Sequence, residues 1–519
     1  MSDLALLSAV IFLPAAGAAL LPLFDRKAVA PMRAYAVVVT ALTLAATAAV
    51  ATRFEPAEGG LQMVAAAEWI PAFGVEYRLG VDGLSLPLLV MSAAVFVMAA
   101  LASYSITHSV RGFLALLLLL ETGVLGVFLA LDFVLFYVFW EVMLLPMYFL
   151  IGLWGGERRE HAAIKFFLYT LLGSVLILIA LLALYFNVDF GEGGRTFDLA
   201  AMAEAAAAGR VDAGLQTLCF WLLLVGFVIK LPVVPVHTWL PDAHVEAPTP
   251  VSMILAGVLL KTGGYGLMRV AWPVCPAAVQ AAAPFLSGLG VVCVLYGALV
   301  ALAQTDFKRL VAYSSVSHMG YVLLGLSVWG ASGDLNAWRT GVSGALFQMV
   351  GHGVSSAGMF FLVGVLYDRT HHRDLDLYGN VTARMPFYAA CAFVIFFASL
   401  GLPGLCGFPG EFAAVLAAWP FSRLAAVLAA SGIILTAGYI LWTLQRVYLG
   451  GRYLGPDAGL LTPLKPREGV VAGTLAVSCV VLGVAPMLVL GPSEASVAKL
   501  TADMQRGAEA TAVEVADTP

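Results

Sequence analysis

The chain has 519 residues, of which 61% are hydrophobic and only 11% charged, with a net charge of −5 and a mean hydropathy of +0.94. That composition excludes a soluble globular enzyme and a basic nucleic-acid surface, and it describes an all-α polytopic membrane protein embedded in a lipid bilayer. Six cysteines stand singly in apolar stretches without a Cys-x-x-Cys pair, which argues against iron–sulfur or zinc ligation and for buried structural roles.

A helix needs about 20 apolar residues to cross a bilayer. On that criterion the sequence predicts about 14 spans, at 4–24, 34–52, 82–106, 112–131, 133–153, 163–187, 215–236, 249–272, 284–304, 307–329, 340–367, 385–419, 425–449 and 469–491. The first resembles a signal peptide but lacks a basic leading region, so it reads as a retained helix. Between spans 2 and 3, residues 53–81 form a polar loop. In the second long loop, FDLAAMAEAAAAGRVDAG (197–214) predicts a short interfacial helix. Loops after odd-numbered spans, from Arg26 and Lys27 to Arg452 and Arg467, carry 16 Lys/Arg, whereas the even-numbered loops and the tail carry 9. The positive-inside rule then makes the odd loops cytoplasmic and leaves both termini outside, on the periplasmic side of a bacterial inner membrane.

Span 7 contains the oddest residue. Lys230 lies in LQTLCFWLLLVGFVIKLPVVPV (215–236), with Pro232 and Pro235 just behind it. The prolines remove N–H groups that would bond the carbonyls of Val228 and Leu231, so the helix breaks and Lys230 sits near its negative C-terminal end. A charge at this depth costs roughly 2.5–3.5 kcal/mol, and a lysine kept there is a functional candidate by default. Span 8 repeats the signal with Lys261, and no arginine reads as comparably deep. Span 12 is too long for one helix and contains Pro403, Gly404, Gly407, Pro409 and Gly410; Glu411 follows this break, near the positive N-terminal end of the next half-helix.

Spans 4–8 and 9–13 make two blocks of five, and an odd block length inverts the second relative to the first. In each block the fourth helix carries the breaks, which points to a transport site at the membrane midplane, although prolines also kink ordinary membrane helices. The corresponding division is 1–111, an N-terminal three-helix segment; 112–272, the first repeat; 273–450, the inverted second repeat; and 451–519, a C-terminal helix and polar tail. The remaining intramembrane titratable groups are Glu121, Glu141, His318 and His352. Glu141 beside Lys230 would form a pair whose separation switches the lysine. The expected relay runs Lys230, Lys261, His318, His352, Glu411, with histidine as a shuttle near neutral pH. Each group has a plainer alternative: Glu121 as a neutral helix–helix contact, His318 as part of a serine stripe, His352 as packing between glycines, and the two histidines as haem ligands. The segment HTWLPDAHVEAPTPVS after span 7 reads as a rigid loop whose His237, Asp242, His244 and Glu246 could line a proton entrance.

Several stretches resemble the antiporter-like subunits of respiratory complex I: FWEVMLLPMYFLIGLWG, KLPVVPVHTWLPDAHVEAPTPVSMILAGVLLKTGGYG, QTDFKRLVAYSSVSHMGY and SLGLPGLCGFPGEF. The resemblance implies proton translocation by the equivalents of Glu141, Lys230, Lys261 and Glu411. It also implies sister antiporter-like subunits and other membrane subunits as partners. NAD, flavin, iron–sulfur clusters and quinone would then belong to partner subunits, with no cofactor and no redox centre in this chain, which would be an enzyme only as a subunit of a translocase. Within that family the sister chains and the sodium/proton antiporter chains generally carry lysine on span 12, so Glu411 places the sequence in the glutamate-bearing branch. A subunit of a cation/proton antiporter or of a membrane-bound hydrogenase is the alternative, and a membrane scaffold is a third reading.

Overall fold

A computed structural model describes residues 2–191, 194–329, 334–450 and 459–517. Thirteen of its described helices are long and apolar enough to cross a membrane. The remaining expected crossing, span 12, is two half-helices, Pro386–Leu400 and Phe408–Phe421, each too short alone. Most observed ends lie within a few residues of the expected ones, with five larger departures, among them span 2 beginning at Val29 and span 7 ending at Lys230. Span 9 begins at Pro276 and carries Pro284 within it. Span 11 is 36 residues long, Leu335–Thr370. Span 14 stops at Val484.

The breaks have local causes. The helix of span 7, Ala213–Lys230, ends where Pro232 forbids continuation. The freed carbonyls are nevertheless taken: Val233 N–H bonds Val228 O at 3.1 Å, and the Trp239 indole N–H bonds Ile229 O at 2.8 Å. The expected proline-rich loop that follows instead contains a buried helix, Trp239–Glu246. Span 5 is also interrupted, as Phe133–Val142 and Leu144–Trp154. Pro146 there cannot donate to Val142 O, and the interruption falls at Met143, two residues after Glu141. Span 8, Thr249–Val274, contains two π-helical turns, Leu255–Leu259 and Leu267–Ala271, on either side of Lys261. Extra-wide turns of this kind occur preferentially at functional sites, and nothing in the residue pattern announced them.

Three further elements lie outside the spans. Residues expected as an outer loop form an antiparallel hairpin, Gln62–Ile70 with Val75–Val81, in which Ala67 pairs with Tyr77 and Glu68 with Glu76. The expected interfacial helix is present as Leu199–Ala207. The expected polar tail is instead a helix, Met487–Asp517. Its inward face is small and hydroxylated, with Ser493, Ser496, Thr501 and Thr511 all buried, so a hydropathy reading misses it. Arg452, counted among the inner-loop cations, and the beginning of the 451–519 segment lie outside the described residues.

Spans 8 and 11 are the two whose apolar stretch is wholly enclosed by the rest of the chain, followed by span 10 at 94%; spans 2, 13 and 14 are at most one-third buried. The enclosed trio is therefore the core, and spans 2, 13 and 14 lie at the periphery. Spans 8 and 11 touch backbone to backbone at Gly257 and Gly353: a Cβ on Gly257 would lie 3.0 Å from Gly353 O. Small residues at membrane-helix interfaces permit such approach. Gly257→Val should separate the two helices at a cost of about 1–3 kcal/mol, typical of overpacking. The expected outcome is a lower thermal unfolding midpoint in detergent, whereas Ile434→Val, at an exposed position of span 13, should leave the midpoint unchanged.

Candidate functional site

The three enclosed spans carry Lys261, His318 and His352, and the span 12 break adds Glu411. All four side chains are buried. Lys261 Nζ donates to Ala256 O, the carbonyl five residues earlier in the wide turn, and lies 2.7 Å from His352 Nδ1. The His352 and His318 rings are 5.2 Å apart, centroid to centroid. His318 Nδ1 is 2.8 Å from Glu411 Oε1, and its Nε2 is 3.1 Å from Ser399 Oγ. The Gln348 amide donates to the same Glu411 oxygen at 3.2 Å. One polar string thus crosses the apolar core from span 8 to span 12. Its order is Lys261, His352, His318, Glu411, so the expected positions of the two histidines are exchanged.

Ser399 gives the string a useful property. A hydroxyl both donates and accepts, so it can donate to His318 Nε2 when the ring is neutral and accept from it when the ring is a cation. The same neighbours serve both protonation states. Glu411 is set by the break: Gly401 adopts φ +82°, and a Cβ there would lie 2.8 Å from Glu411 Oε2. The glycine supplies the left-handed turn and leaves room for the carboxylate.

The other expected residues stand apart from this string. Lys230 is buried at the end of its half-helix, and its ammonium rests 3.7 Å from the centre of the Trp140 ring. It is not in ion-pair contact with Glu141, the next residue, whose Oε1 is buried without a hydrogen-bond partner. Both carboxyl oxygens of Glu121 are likewise buried and unpartnered. The His244 ring stacks on Phe360 at 4.2 Å and His237 meets Tyr296 edge-on at 5.2 Å; neither has a hydrogen-bonded ring nitrogen. Of the other entrance candidates, Asp242 pairs with Lys165 at 2.7 Å, and Glu246 accepts from the Arg158 backbone N–H at 3.0 Å.

Two cations differ from expectation. Lys308, counted as a loop charge, is buried and donates to Ala247 O at 2.7 Å. Arg269, near the end of span 8, is largely buried: its guanidinium is 2.5 Å from the buried Asp82 carboxylate. A fixed counter-ion is what lets an arginine stay there. Gln348, Ser399 and Trp140 were also not singled out, since neutral residues raise no alarm in a hydropathy reading.

Comparison with known proteins fits this geometry. The family profile described as NADH:quinone oxidoreductase/Mrp antiporter, transmembrane, matches residues 130–436, which hold every residue of the string. NADH-quinone oxidoreductase subunit M of Rhodobacter capsulatus is 40% identical over 98% of this chain and 99% of its own length. The chain belongs to the subunit M family. A chain of respiratory complex I from Thermus thermophilus with bound NADH superposes with a TM-score of 0.83, at 32% identity, over 95% of this chain and 99% of that one. The Mrp complex of a Dietzia species gives 0.81 at 22% identity, over 98% and 99%, a likeness of fold alone. As a subunit M family member the chain is a multi-pass membrane protein, and the glutamate on span 12 agrees with that placement.

The Lys230–Trp140 contact is open to test within the subunit M family. A desolvated cation–π contact is worth about 2 kcal/mol. Trp140→Leu should slow NADH-driven proton uptake by membrane vesicles severalfold while Trp140→Phe stays near the parent rate; equal rates would show that the ring does not hold the ammonium.

Proposed function

We propose that this chain is a proton-translocating membrane subunit of an NADH:quinone oxidoreductase, moving protons along a buried Glu/Lys/His axis while quinone is reduced in partner subunits. The observation that carries this reading is the string Lys261–His352–His318–Glu411: four titratable side chains in contact or near-contact inside an apolar core. Charges kept there at such cost mark proton paths. The axis continues to Lys230 and Glu141, where the ammonium has two alternative surroundings, the Trp140 ring and the Glu141 carboxylate. A lysine moved between them changes its hold on a proton, because a nearby carboxylate favours the charged form and burial alone disfavours it. Glu121, His237 and His244 flank this axis as buried groups able to exchange protons with it. A proton crosses from His352 to His318 by ring reorientation or through a bridging water.

The two five-helix blocks, 112–272 and 273–450, act as inverted repeats whose interrupted helices carry Lys230 and Glu411. Odd-numbered loops face the cytoplasm and both termini face outward. This chain carries no redox centre of its own: NAD, flavin, iron–sulfur clusters and quinone belong to the partners. The antiporter alternative is less well supported, since the nearly full-length relative at 40% identity is named an NADH-quinone oxidoreductase subunit.

Two experiments test these proposals. In assembled complex, His352→Leu and Glu411→Leu should each add at least about 1.4 kcal/mol to the barrier for coupled turnover, which is about tenfold in rate. Glu141→Gln should impair turnover more than Glu141→Asp. Undiminished protons per electron in all of these variants would rule out the relay. For the topology, alkaline phosphatase fused after residue 517 should be active and a green fluorescent reporter dark; the opposite pattern would invert the orientation.

A further inference from the structure

The seam between spans 3, 11 and 14 carries two cavities in series that the proton axis does not use. One, of about 490 Å³, lies at the end bearing the odd-numbered loops, which is the inner end in the orientation proposed above. It is bounded by Leu101 and Tyr104 of span 3, Val365 and Arg369 of span 11, and Lys465 and Arg467 at the start of span 14. The other, of about 470 Å³, lies farther along the same three helices and is lined by Val90, Met98, Val354, Leu475 and Val481. On each helix the residues step away from the charged end in order. Together the cavities make one slot, cationic at its mouth and apolar along its length.

The charges at the mouth are not balanced. Arg369 and Glu468 satisfy each other at 2.7 Å, leaving Lys465 and Arg467 in the lining against Asp368 alone, with His371 beside them. The Arg467 guanidinium lies 4.6 Å from the centre of the Tyr104 ring, and Arg33 lies against the same ring at 5.1 Å. Neither arginine has a carboxylate within ion-pair distance among the described residues; Arg33 Nη2 donates to Ile106 O, while its Nε is buried without a hydrogen-bond partner. Two guanidinium groups held to one ring repel each other unless an anion lies between them. From Arg467 to Ser478, which lines the apolar cavity, span 14 rises about 16 Å at about 1.5 Å per residue. That is close to half of a hydrocarbon core of about 30 Å.

We propose that this slot holds one anionic phospholipid, its phosphate at Arg467 and Lys465, with Arg33 on the same Tyr104 ring adding positive charge, and an acyl chain laid along the apolar groove. Basic pockets between transmembrane helices on the cytoplasmic side suit such headgroups, and the groove begins at the depth that a chain hanging from the interface reaches. The slot depends on the proposed orientation only for the leaflet that supplies the lipid, and it is independent of the proton relay.

The test uses the purified complex in phosphatidylcholine vesicles containing a trace of a photoactivatable lipid with a diazirine in its acyl chain. The headgroup is either phosphatidylglycerol or phosphatidylcholine. The phosphatidylglycerol probe should label peptides from Leu86–Ser105 and Pro466–Val484 at least fivefold more than its zwitterionic twin, and R467E should bring the two to parity. Should R467E fail to assemble, Ser478→Trp, which plugs the groove without touching the mouth, should cut the labelling by the same factor. Equal labelling by the two probes in the unmutated complex would overturn the proposal. So would labelling insensitive to the substitutions, or an unlabelled seam, which would mean that a neighbouring subunit covers it.

Discussion

The cost of holding ionisable groups where water is scarce organises this molecule. Lys261 is accepted in the core because a carbonyl and an imidazole are brought to it, and Glu411 because an imidazole and an amide are. Apart from Ala256 on span 8 itself, these partners come from neighbouring helices, His352 and Gln348 from span 11 and His318 from span 10, so satisfying the buried groups ties spans 8, 10, 11 and 12 together. The backbone irregularities follow from the same demand. The wide turn before Lys261 presents Ala256 O to the ammonium, and the break at Gly401 gives the Glu411 carboxylate its space.

The remaining charges are managed in two ways. Asp82 and Arg269 neutralise each other at the end of span 8, a static arrangement with both partners present. Lys230 is held by the face of an indole instead, a weaker and less directional hold than a carboxylate would give. Fixed pairs suit anchoring, and loosely held single charges suit movement. The protein therefore separates structural from transferable charge by the strength of the partner it provides.

Much of this was legible in the residues themselves. Spans read from hydropathy because lipid imposes one length on every crossing, and the breaks at Lys230 and Glu411 read from proline and glycine, whose backbone effects are local. The ionisable residues stood out because so few exist in apolar runs. Their connectivity did not, since exchanging His318 with His352 in the string depends on helix rotation, which no local pattern encodes. The π-turns of span 8, one of which carries the Gly257 contact with Gly353, leave no compositional trace. The C-terminal helix was hidden for a different reason: its buried face is made of serine, threonine and alanine, which pack well yet score as polar or neutral.

That C-terminal helix has a mechanical consequence. Ser496 accepts from the Gly83 backbone N–H at 2.9 Å, Thr511 accepts from the Gln216 amide at 3.0 Å, and Thr501 accepts from Arg339 at 3.3 Å. These contacts reach span 7 in the first block and span 11 in the second, as well as the segment before span 3, so one rigid rod is stitched across both halves of the bundle at a single face. Tilting either half at that face would shear several bonds together. The strapped face therefore couples the two blocks, so that a displacement of either one at that face is resisted by contacts to the other.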